Sequence, residues 1–446
     1  MFATASMCSK KSCDDLNPFE RGSFSYHTKE SRFAMPTSTS ATVRRQEPSA
    51  IGRLAVPELE PMIGASLRNA ERELAQTPLA PGYFLDATYA DTHRFPPPTW
   101  ALPTFNEAAG GAGMTYTPYR GDNGVRDVVA ANVEAVLGMP ATDPSEVILT
   151  PGTQGALFIT LAALIEPGDT VILPDPDYLS TERTLRYFGA EVVRVPVVYN
   201  EVGRPVLDAD KLTSAAQRKP KLMVFSHPNN PTGMIYADST LELIASLANE
   251  HNFQVLSDEL YCRLVYDNET FTHMANLDGM KDRTTTLLGP SKTESLSGYR
   301  LGLAVGPADL VDLMEEVQSC TALRAPSYAQ HLLARWLADD QEFVNVRITE
   351  YQALRDATVE RINASSVMTV RAPYGSAYVF PEITVDATEQ DVAIALKRDA
   401  GIVVNPGYQS GPAGRRHIRL CFAQDETVWD DALGRILDVV AAAGSQ

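Results

Sequence analysis

Residues 289–302 read GPSKTESLSGYRLG and follow Thr284–Leu288, a short run typical of a buried strand. This segment places Lys292 eight residues before Arg300, with small residues around both. A lysine becomes nucleophilic when desolvation or nearby cations favour its neutral form, and an arginine can neutralise a phosphate. The pair therefore offers the two groups that an aldehyde cofactor with a phosphate needs, whereas a lysine taken alone is more often a surface charge.

Two further segments follow apolar strand candidates upstream. Residues 229–233 read NNPTG after Leu222–Ser226, and residues 258–261 read DELY after another apolar run. A carboxylate such as Asp258 at a strand end can pair with a protonated pyridine nitrogen, which keeps the ring electron-poor. Asp258 can equally cap a following helix, and the NNPTG segment alone is compatible with an ordinary turn.

A glycine-rich segment, PGTQG at residues 151–155, lies between a strand candidate and the helix candidate Ala156–Ile165. A helix N-terminus presents free N–H groups and the positive end of the helix dipole to an anion. Gly152 allows the backbone to approach such an anion closely. Many strand–helix turns are rich in glycine, but together with Arg300 this segment indicates a phosphate site.

In their order and spacing the NNPTG, DELY and GPSKTESLSGYRLG segments resemble the fold-type I, class I/II aminotransferases, which use pyridoxal 5′-phosphate (PLP). The resemblance covers roughly residues 80–443. It implies that Lys292 binds PLP as a Schiff base and moves the substrate Cα proton, and that Asp258 pairs with the pyridine nitrogen. The other cofactor contacts that it implies are Thr153, Gln154 and Arg300 at the phosphate, Asn230 and Tyr261 at the phenolic oxygen, and Tyr178 stacked on the ring.

The resemblance also bears on the substrate and on assembly. Arg419 lies in an alternating strand pattern, on the face opposite its apolar neighbours. The matching arginine of the family binds the substrate α-carboxylate through two parallel hydrogen bonds, and Asn230 is expected beside it. The family often has a cis bond between this asparagine and the following proline. Tyr116, in YTPYRG, resembles the tyrosine that reaches the neighbouring subunit's phosphate, which implies a homodimer with shared active sites.

Residues 84–98, FLDATYADTHRFPPP, depart from the family pattern in a stretch that borders the substrate. His93 is predicted to contact the substrate as a second acid or base, since histidine titrates near neutral pH. The alternative is a hydrogen-bonding loop residue. Glu294 near Lys292 is a second departure, and Gly289 occupies a position where the family commonly has serine.

The resemblance implies transfer of the amino group of an L-amino acid to a 2-oxo acid. The same scaffold supports other reactions, because cofactor motifs determine the electron sink and not the fate of the carbanion. The alternative is therefore a specialised PLP enzyme of amino-acid or natural-product metabolism, such as an oxygen-dependent oxidase or hydroxylase, a cyclase or a decarboxylase. A stoichiometric requirement for a 2-oxo acid distinguishes the two.

Strand and helix patterns alternate from Glu146 onward, which predicts an α/β fold. We expect the fold-type I arrangement, with a mostly parallel seven-stranded sheet between helices and a smaller α/β domain. Residues 82–106 are rich in proline and aromatic residues and predict an extended loop. The predicted domains are a disordered extension (1–50), a helix and substrate-bordering loop associated with the small domain (51–115), a large PLP-binding domain (116–335) and a small C-terminal domain (336–446).

The bulk composition excludes some classes of partner. The formal net charge of −18 argues against nucleic acid or an anionic membrane as a partner, because both require a basic face. The five cysteines form no CxxC pair, which favours a reduced, cytoplasmic protein. No apolar run approaches the length of a membrane span. The expected partners are small molecules, an amino acid and a 2-oxo acid, and no metal site is predicted.

Overall fold

The computed structural model describes residues 52–64, 66–111 and 116–445. The predicted disordered extension, residues 1–50, lies outside these residues. The helices are α1 Glu60–Ile63, α2 Leu67–Gln76, α3 Ala101–Gly110, α4 Asn123–Leu137, α5 Thr153–Leu164, α6 Leu179–Phe188, α7 Ala209–Ala216, α8 Asp238–His251, α9 Ala308–Cys320, α10 Ser327–Gln330, α11 Gln341–Asn363, α12 Glu389–Ala395 and α13 Glu426–Ala443. The strands are β1 Leu85–Asp86, β2 Val147–Pro151, β3 Thr170–Asp175, β4 Glu191–Tyr199, β5 Pro205–Leu207, β6 Leu222–Ser226, β7 Gln254–Asp258, β8 Thr284–Leu288, β9 Leu301–Val305, β10 Met368–Thr369, β11 Tyr378–Val379, β12 Glu382–Ile383, β13 Ile402–Val403, β14 Asn405–Pro406 and β15 Ile418–Cys421.

The largest sheet has eight strands in the order β2-β9-β8-β7-β6-β3-β4-β5. Strands β4, β3, β6, β7 and β8 pair in parallel, whereas β9 is antiparallel to both β2 and β8. Strands β6 and β8 are buried along their whole length. This burial explains why their sequences show continuous runs and not alternation.

The predicted α/β fold with a mostly parallel sheet is confirmed, and the sheet has eight strands where seven were predicted. The eighth strand, β5, was not predicted. It pairs antiparallel with the end of β4 at the sheet edge. It has three residues and begins with a proline, so its sequence is too short to show the alternation that identifies a strand.

The arrangement of strands brings the predicted cofactor segments to one edge of the sheet. Strands β2, β3, β6, β7 and β8 all end there, and the antiparallel β9 begins there, with Leu301 opposite Pro151. Asp258 at the end of β7 lies opposite Ser226 at the end of β6. Ligands of parallel sheets bind at such carboxyl ends, and the Lys292 loop follows β8.

A second apolar core is built around helices α11, α12 and α13. Strand β15 lies between β11 and β14, and its Ile418 and Leu420 are fully buried. Strand β1 pairs in parallel with β13, so the segment around Leu85 packs with this smaller α/β part. The domain boundaries at residues 115 and 335 stay predictions.

The predicted extended loop at residues 82–106 is wrong in part, because it contains β1 and the start of α3. Pro103 lies in the first turn of α3, where the missing N–H costs no intrahelical hydrogen bond. A proline-rich stretch can therefore include the first turn of a helix, and the prediction of a continuous loop did not allow for this. Among the described residues, none of the helices combines the length and apolar character needed to cross a membrane.

Candidate active site

A cavity of about 260 Å³ lies at the carboxyl edge of the large sheet. Except for Tyr116 and His93, the predicted site residues meet here; they come from the carboxyl ends of β2, β3, β6, β7 and β8 or the segments that follow them, from the residue before β9, and from β15. The predicted residues that line it are Thr153, Gln154, Tyr178, Asn230, Asp258, Tyr261, Lys292, Arg300 and Arg419.

The end of the cavity near α5 is suited to a phosphate. Helix α5 begins at Thr153, after Gly152 with a φ of +81°. The first N–H groups of a helix have no intrahelical acceptor and favour an anion. Arg300 also has a positive φ, +57°, and its Nη1 donates to the Ser297 carbonyl at 2.9 Å. The residues at this end therefore fit a phosphate group.

Glycines bring these segments into close backbone contact. A Cβ on Gly152 would lie 2.5 Å from Nη2 of Arg300. A Cβ on Gly289 would lie 3.0 Å from the Thr153 hydroxyl oxygen, which leaves little room for the serine common in the family. Ser291 lines the cavity instead, and its hydroxyl donates to the Leu301 carbonyl at 3.2 Å.

Asp258 lies in the cavity wall together with Lys292. Burial raises the pKa of Asp258 to about 6, against the opposing effects of the Leu260 N–H and Lys292. The Leu260 N–H donates to Asp258 Oδ1 at 3.3 Å. A cation bound beside this carboxyl would favour its ionised form. The geometry and charge therefore fit the protonated pyridine nitrogen of PLP.

A buried network of polar side chains holds the backbone of Asn230 in place, and this network was not predicted from the sequence. Asp177 accepts hydrogen bonds from the Ser226 hydroxyl and from Asn229 Nδ2, both at 3.1 Å. The Asn230 N–H donates to the same Ser226 hydroxyl at 2.9 Å. Burial raises the pKa of Asp177 to about 7. The position of Asp177, just after a buried strand, was the available signal.

Arg419 is held by neutral oxygen atoms. Its Nη1 donates to Asn230 Oδ1 at 2.8 Å, and its Nη2 donates to Asn405 Oδ1 at 2.5 Å and to the Thr88 carbonyl at 3.2 Å. The guanidinium lies 4.2 Å from the ring centre of Tyr378. Within the described part of the chain no acidic side chain pairs with Arg419, and its buried Nε has no hydrogen-bond partner. The charge therefore suits an external carboxylate.

Aromatic side chains complete the cavity. The Tyr261 hydroxyl donates to the Tyr378 hydroxyl at 3.2 Å, and burial raises the pKa of Tyr261. Tyr178 donates to Gln154 Oε1 at 3.3 Å. Tyr378 and Thr88 line the cavity but were not predicted, because neither belongs to a motif with a cofactor role.

The structure does not bring two predicted residues into this cavity. His93 is exposed, and its backbone N–H donates to Asp91 Oδ1 at 2.8 Å. Tyr116 is 85% exposed and lies under the Arg324 guanidinium, which is 4.2 Å from its ring centre. Contact of His93 with substrate stays a prediction that this geometry does not support.

Two other sequence features have a structural outcome. Glu294 is fully buried and forms an ion pair with Arg263, so it does not line the cavity beside Lys292. Among the described residues, cis bonds occur at Asp175–Pro176 and His227–Pro228, and not at Asn230–Pro231. The expectation of a cis bond after Asn230 is therefore wrong. No group of potential metal ligands is found in residues 52–64, 66–111 and 116–445.

Comparison with known proteins gives consistent matches. The family model for aminotransferase class I and II matches residues 86–436. Aromatic-amino-acid aminotransferase 2 of Thermococcus litoralis is 30% identical over 332 residues, which cover 74% of this chain and 85% of that protein. Aspartate/prephenate aminotransferase of Thermus thermophilus is 31% identical over 331 residues, 74% of this chain and 84% of that protein. A solved aspartate aminotransferase from Rhodobacter sphaeroides 2.4.1 superimposes with a TM-score of 0.78 at 33% identity and covers 82% of this chain and 94% of that chain.

Proposed function

Because this chain belongs to the aminotransferase class I and II family and is a PLP-dependent aminotransferase, we propose that it acts on an L-amino acid and a 2-oxo acid through Lys292. The relatives are named as aminotransferases, and they give no support to the alternative of an oxidase, hydroxylase, cyclase or decarboxylase. The observation that carries the proposal is the presence of Lys292, Asp258 and Arg419 in one cavity.

The cofactor residues divide by the part of PLP that each would hold. Asp258 would pair with the pyridine nitrogen, and Tyr178 would stack on the ring. The N–H groups at the start of α5 would bind the phosphate together with Arg300. Asn230 and Tyr261 would bind the phenolic oxygen. When bound, PLP supplies the electron sink that stabilises negative charge at the substrate Cα.

Lys292 has two roles in this proposal. Its side-chain nitrogen would bond the aldehyde carbon of PLP and hold the cofactor in the absence of substrate. When it is not bonded to the cofactor, its amine, which lines the same cavity as Arg419, would accept the proton from the substrate Cα as a general base and donate it as a general acid. Arg419 binds the α-carboxylate and thereby limits where the Cα can lie.

We also propose a homodimer with shared active sites and a cytoplasmic location. Tyr116 supports the homodimer, because an 85% exposed tyrosine that does not line its own cavity is available to a second copy. The lack of CxxC pairs supports a reducing compartment. Sedimentation would test the dimer, and a Tyr116→Phe variant with weaker PLP binding would support the shared site.

A single-turnover experiment tests the reaction itself. The PLP-loaded protein is mixed with one amino acid, with and without oxygen, and without a second 2-oxo acid. We expect one equivalent of 2-oxo acid per bound PLP, no oxygen uptake, and further turnover only when a 2-oxo acid is added. Repeated turnover that consumes oxygen and needs no acceptor would contradict transamination.

A further inference from the structure

A second cavity, of about 290 Å³, adjoins the cofactor cavity. Tyr178, Asn230 and Arg419 line both cavities. The wall of the second cavity includes two charged side chains, Arg183 on α6 and Glu71 on α2. The cavities therefore meet at the arginine proposed to bind the substrate α-carboxylate.

This position relates the second cavity to the substrate side chain. In the proposed function PLP fills the space beside Lys292, and the α-carboxylate lies on Arg419. When the amino group of the substrate is at the cofactor and its α-carboxylate is on Arg419, the side chain is the substituent of Cα that still needs a binding site. The second cavity, which opens beside Arg419, gives that side chain space.

Arg183 is less firmly paired than its neighbour on the same helix. Its Nη1 makes one hydrogen bond, at 3.2 Å, to Glu71 Oε1, and the two side chains are 32% and 28% exposed. Arg186 donates to Glu182 at 2.8 Å and to Glu58 at 3.0 Å and is 16% exposed. Partly exposed single pairs contribute little to stability, so Arg183 can exchange Glu71 for another carboxylate.

Amide and hydroxyl side chains, which can donate hydrogen bonds, line much of the rest of this wall. Asn405 Nδ2 donates to Gln409 Oε1 at 2.9 Å. The amide nitrogen of Gln409 makes no hydrogen bond to another described residue, and the Ser180 hydroxyl lines the same cavity. Guanidinium, amide and hydroxyl donors together favour an anionic group. The chain's net charge of −18 does not attract anions, so such a substrate requires a local cation.

We infer that Arg183 determines specificity by binding the distal carboxylate of a dicarboxylic amino acid or 2-oxo acid. Glu71 pairs with Arg183 when a substrate without that carboxylate is bound. This inference rests on the proposed function, because it assumes that Arg419 binds the α-carboxylate. The paired glutamate lets a substrate without the second carboxylate enter without leaving the Arg183 charge unpaired.

Pairs of substrates that differ only in charge test the inference. The PLP-loaded protein is assayed in the amino-donor half-reaction with glutamate against glutamine and with aspartate against asparagine. In Arg183→Gln we expect kcat/KM for the two acids to fall at least ~10-fold, mainly through KM, while the amides change by less than about 2-fold. Arg183→Lys should restore part of the loss, and Glu71→Gln should raise the acid-to-amide ratio.

Arg72→Gln is the matched control. Arg72 is exposed on α2 beside Glu71, and its change alters the net charge equally. It should leave the acid-to-amide ratio unchanged. Equal losses for acids and amides in Arg183→Gln, in protein that still binds PLP stoichiometrically, would overturn the inference and leave transamination intact. A preference for lysine or arginine that Glu71→Gln abolishes would assign the cavity to cations and also overturn it. Failure of the wild-type protein to release 2-oxo acid from any amino acid would overturn the proposed function itself.

Discussion

The cofactor side and the substrate side of the cavity are assembled differently. Asp258 is the last residue of β7, Thr153 begins the helix that follows β2, and Lys292 lies in the loop that follows β8. Arg419 is instead held in place by residues that are distant in the chain. One of them is Thr88, 331 residues earlier, whose carbonyl accepts a hydrogen bond from Arg419. The cofactor side is therefore built from short local segments, whereas the substrate side depends on how distant segments pack.

Replacing Lys292 breaks the cofactor side and should have the largest effect. Lys292→Ala removes both the group that binds the cofactor aldehyde and the group that moves the Cα proton. We expect kcat to fall at least ~10³-fold in the steady-state assay. Lys211→Ala, at an exposed position on α7, is the control and should retain full activity. Residual activity above one tenth in Lys292→Ala would contradict the assignment.

Replacing Arg419 tests whether the two sides are separable. Arg419→Ala removes the cation for the α-carboxylate, so kcat/KM should fall ~10²-fold for every amino donor. Arg419→Lys keeps the charge and loses the two parallel hydrogen bonds, so its loss should be smaller. PLP affinity, measured by equilibrium dialysis, should stay within about 3-fold. A parallel loss of PLP affinity would show that the Arg419–Asn230 hydrogen bond couples the two sides.

The contrast between local segments on the cofactor side and distant segments on the substrate side explains which site residues could be predicted from the sequence. The residues around Lys292 and Asp258 were predicted because strand ends, glycines and spacing are local features. Tyr378, Thr88 and Asp177 were missed because their roles depend on contacts between segments, such as the hydrogen bond of Tyr378 to Tyr261. The strand β5 was missed because three residues carry no periodicity. His93 was selected for its chemistry, but chemistry alone does not determine which way a loop places a side chain.

Asp177→Asn tests the buried support of the cofactor side. Burial raises the pKa of Asp177 from 3.8 to about 7. The folded protein therefore keeps a proton that the unfolded chain loses between these values. The resulting stability is fully present below about pH 4 and is lost as pH rises through about 7. In Asp177→Asn the fall in the free energy of unfolding across this window should be smaller, by up to about 1.4 kcal/mol per pH unit.

Urea unfolding of the PLP-free protein across this pH window measures the effect. Asp278→Asn, at an exposed position before β8, is the matched control and should leave the pH dependence unchanged. Identical slopes in wild type and Asp177→Asn would contradict a proton held by Asp177. The comparison uses differences in slope, so a constant destabilisation from altered hydrogen bonds does not affect it.

The smallest effects concern the 84–98 segment, which departs from the family pattern. Its His93 is exposed and does not line the cavity, so His93→Ala should change kcat/KM by less than about 2-fold. Asp86 Oδ1 accepts hydrogen bonds from the Thr88 N–H at 3.0 Å and from the Thr88 hydroxyl at 2.5 Å. Asp86→Ala should therefore weaken the hydrogen bond from Arg419 to the Thr88 carbonyl, and we expect kcat/KM to fall roughly 3- to 10-fold.

The pair of variants separates two explanations for the unusual composition of this segment. If the segment acts by holding Arg419, Asp86→Ala should raise KM for the amino donor, and the pH profile should be the same in all three proteins. If His93 instead moves a proton, His93→Ala should lower kcat and remove one limb of the pH–rate profile near neutrality. The second outcome would require the segment to move His93 into the cavity when substrate binds, and the substrate side would then be assembled by closure and not only by static packing.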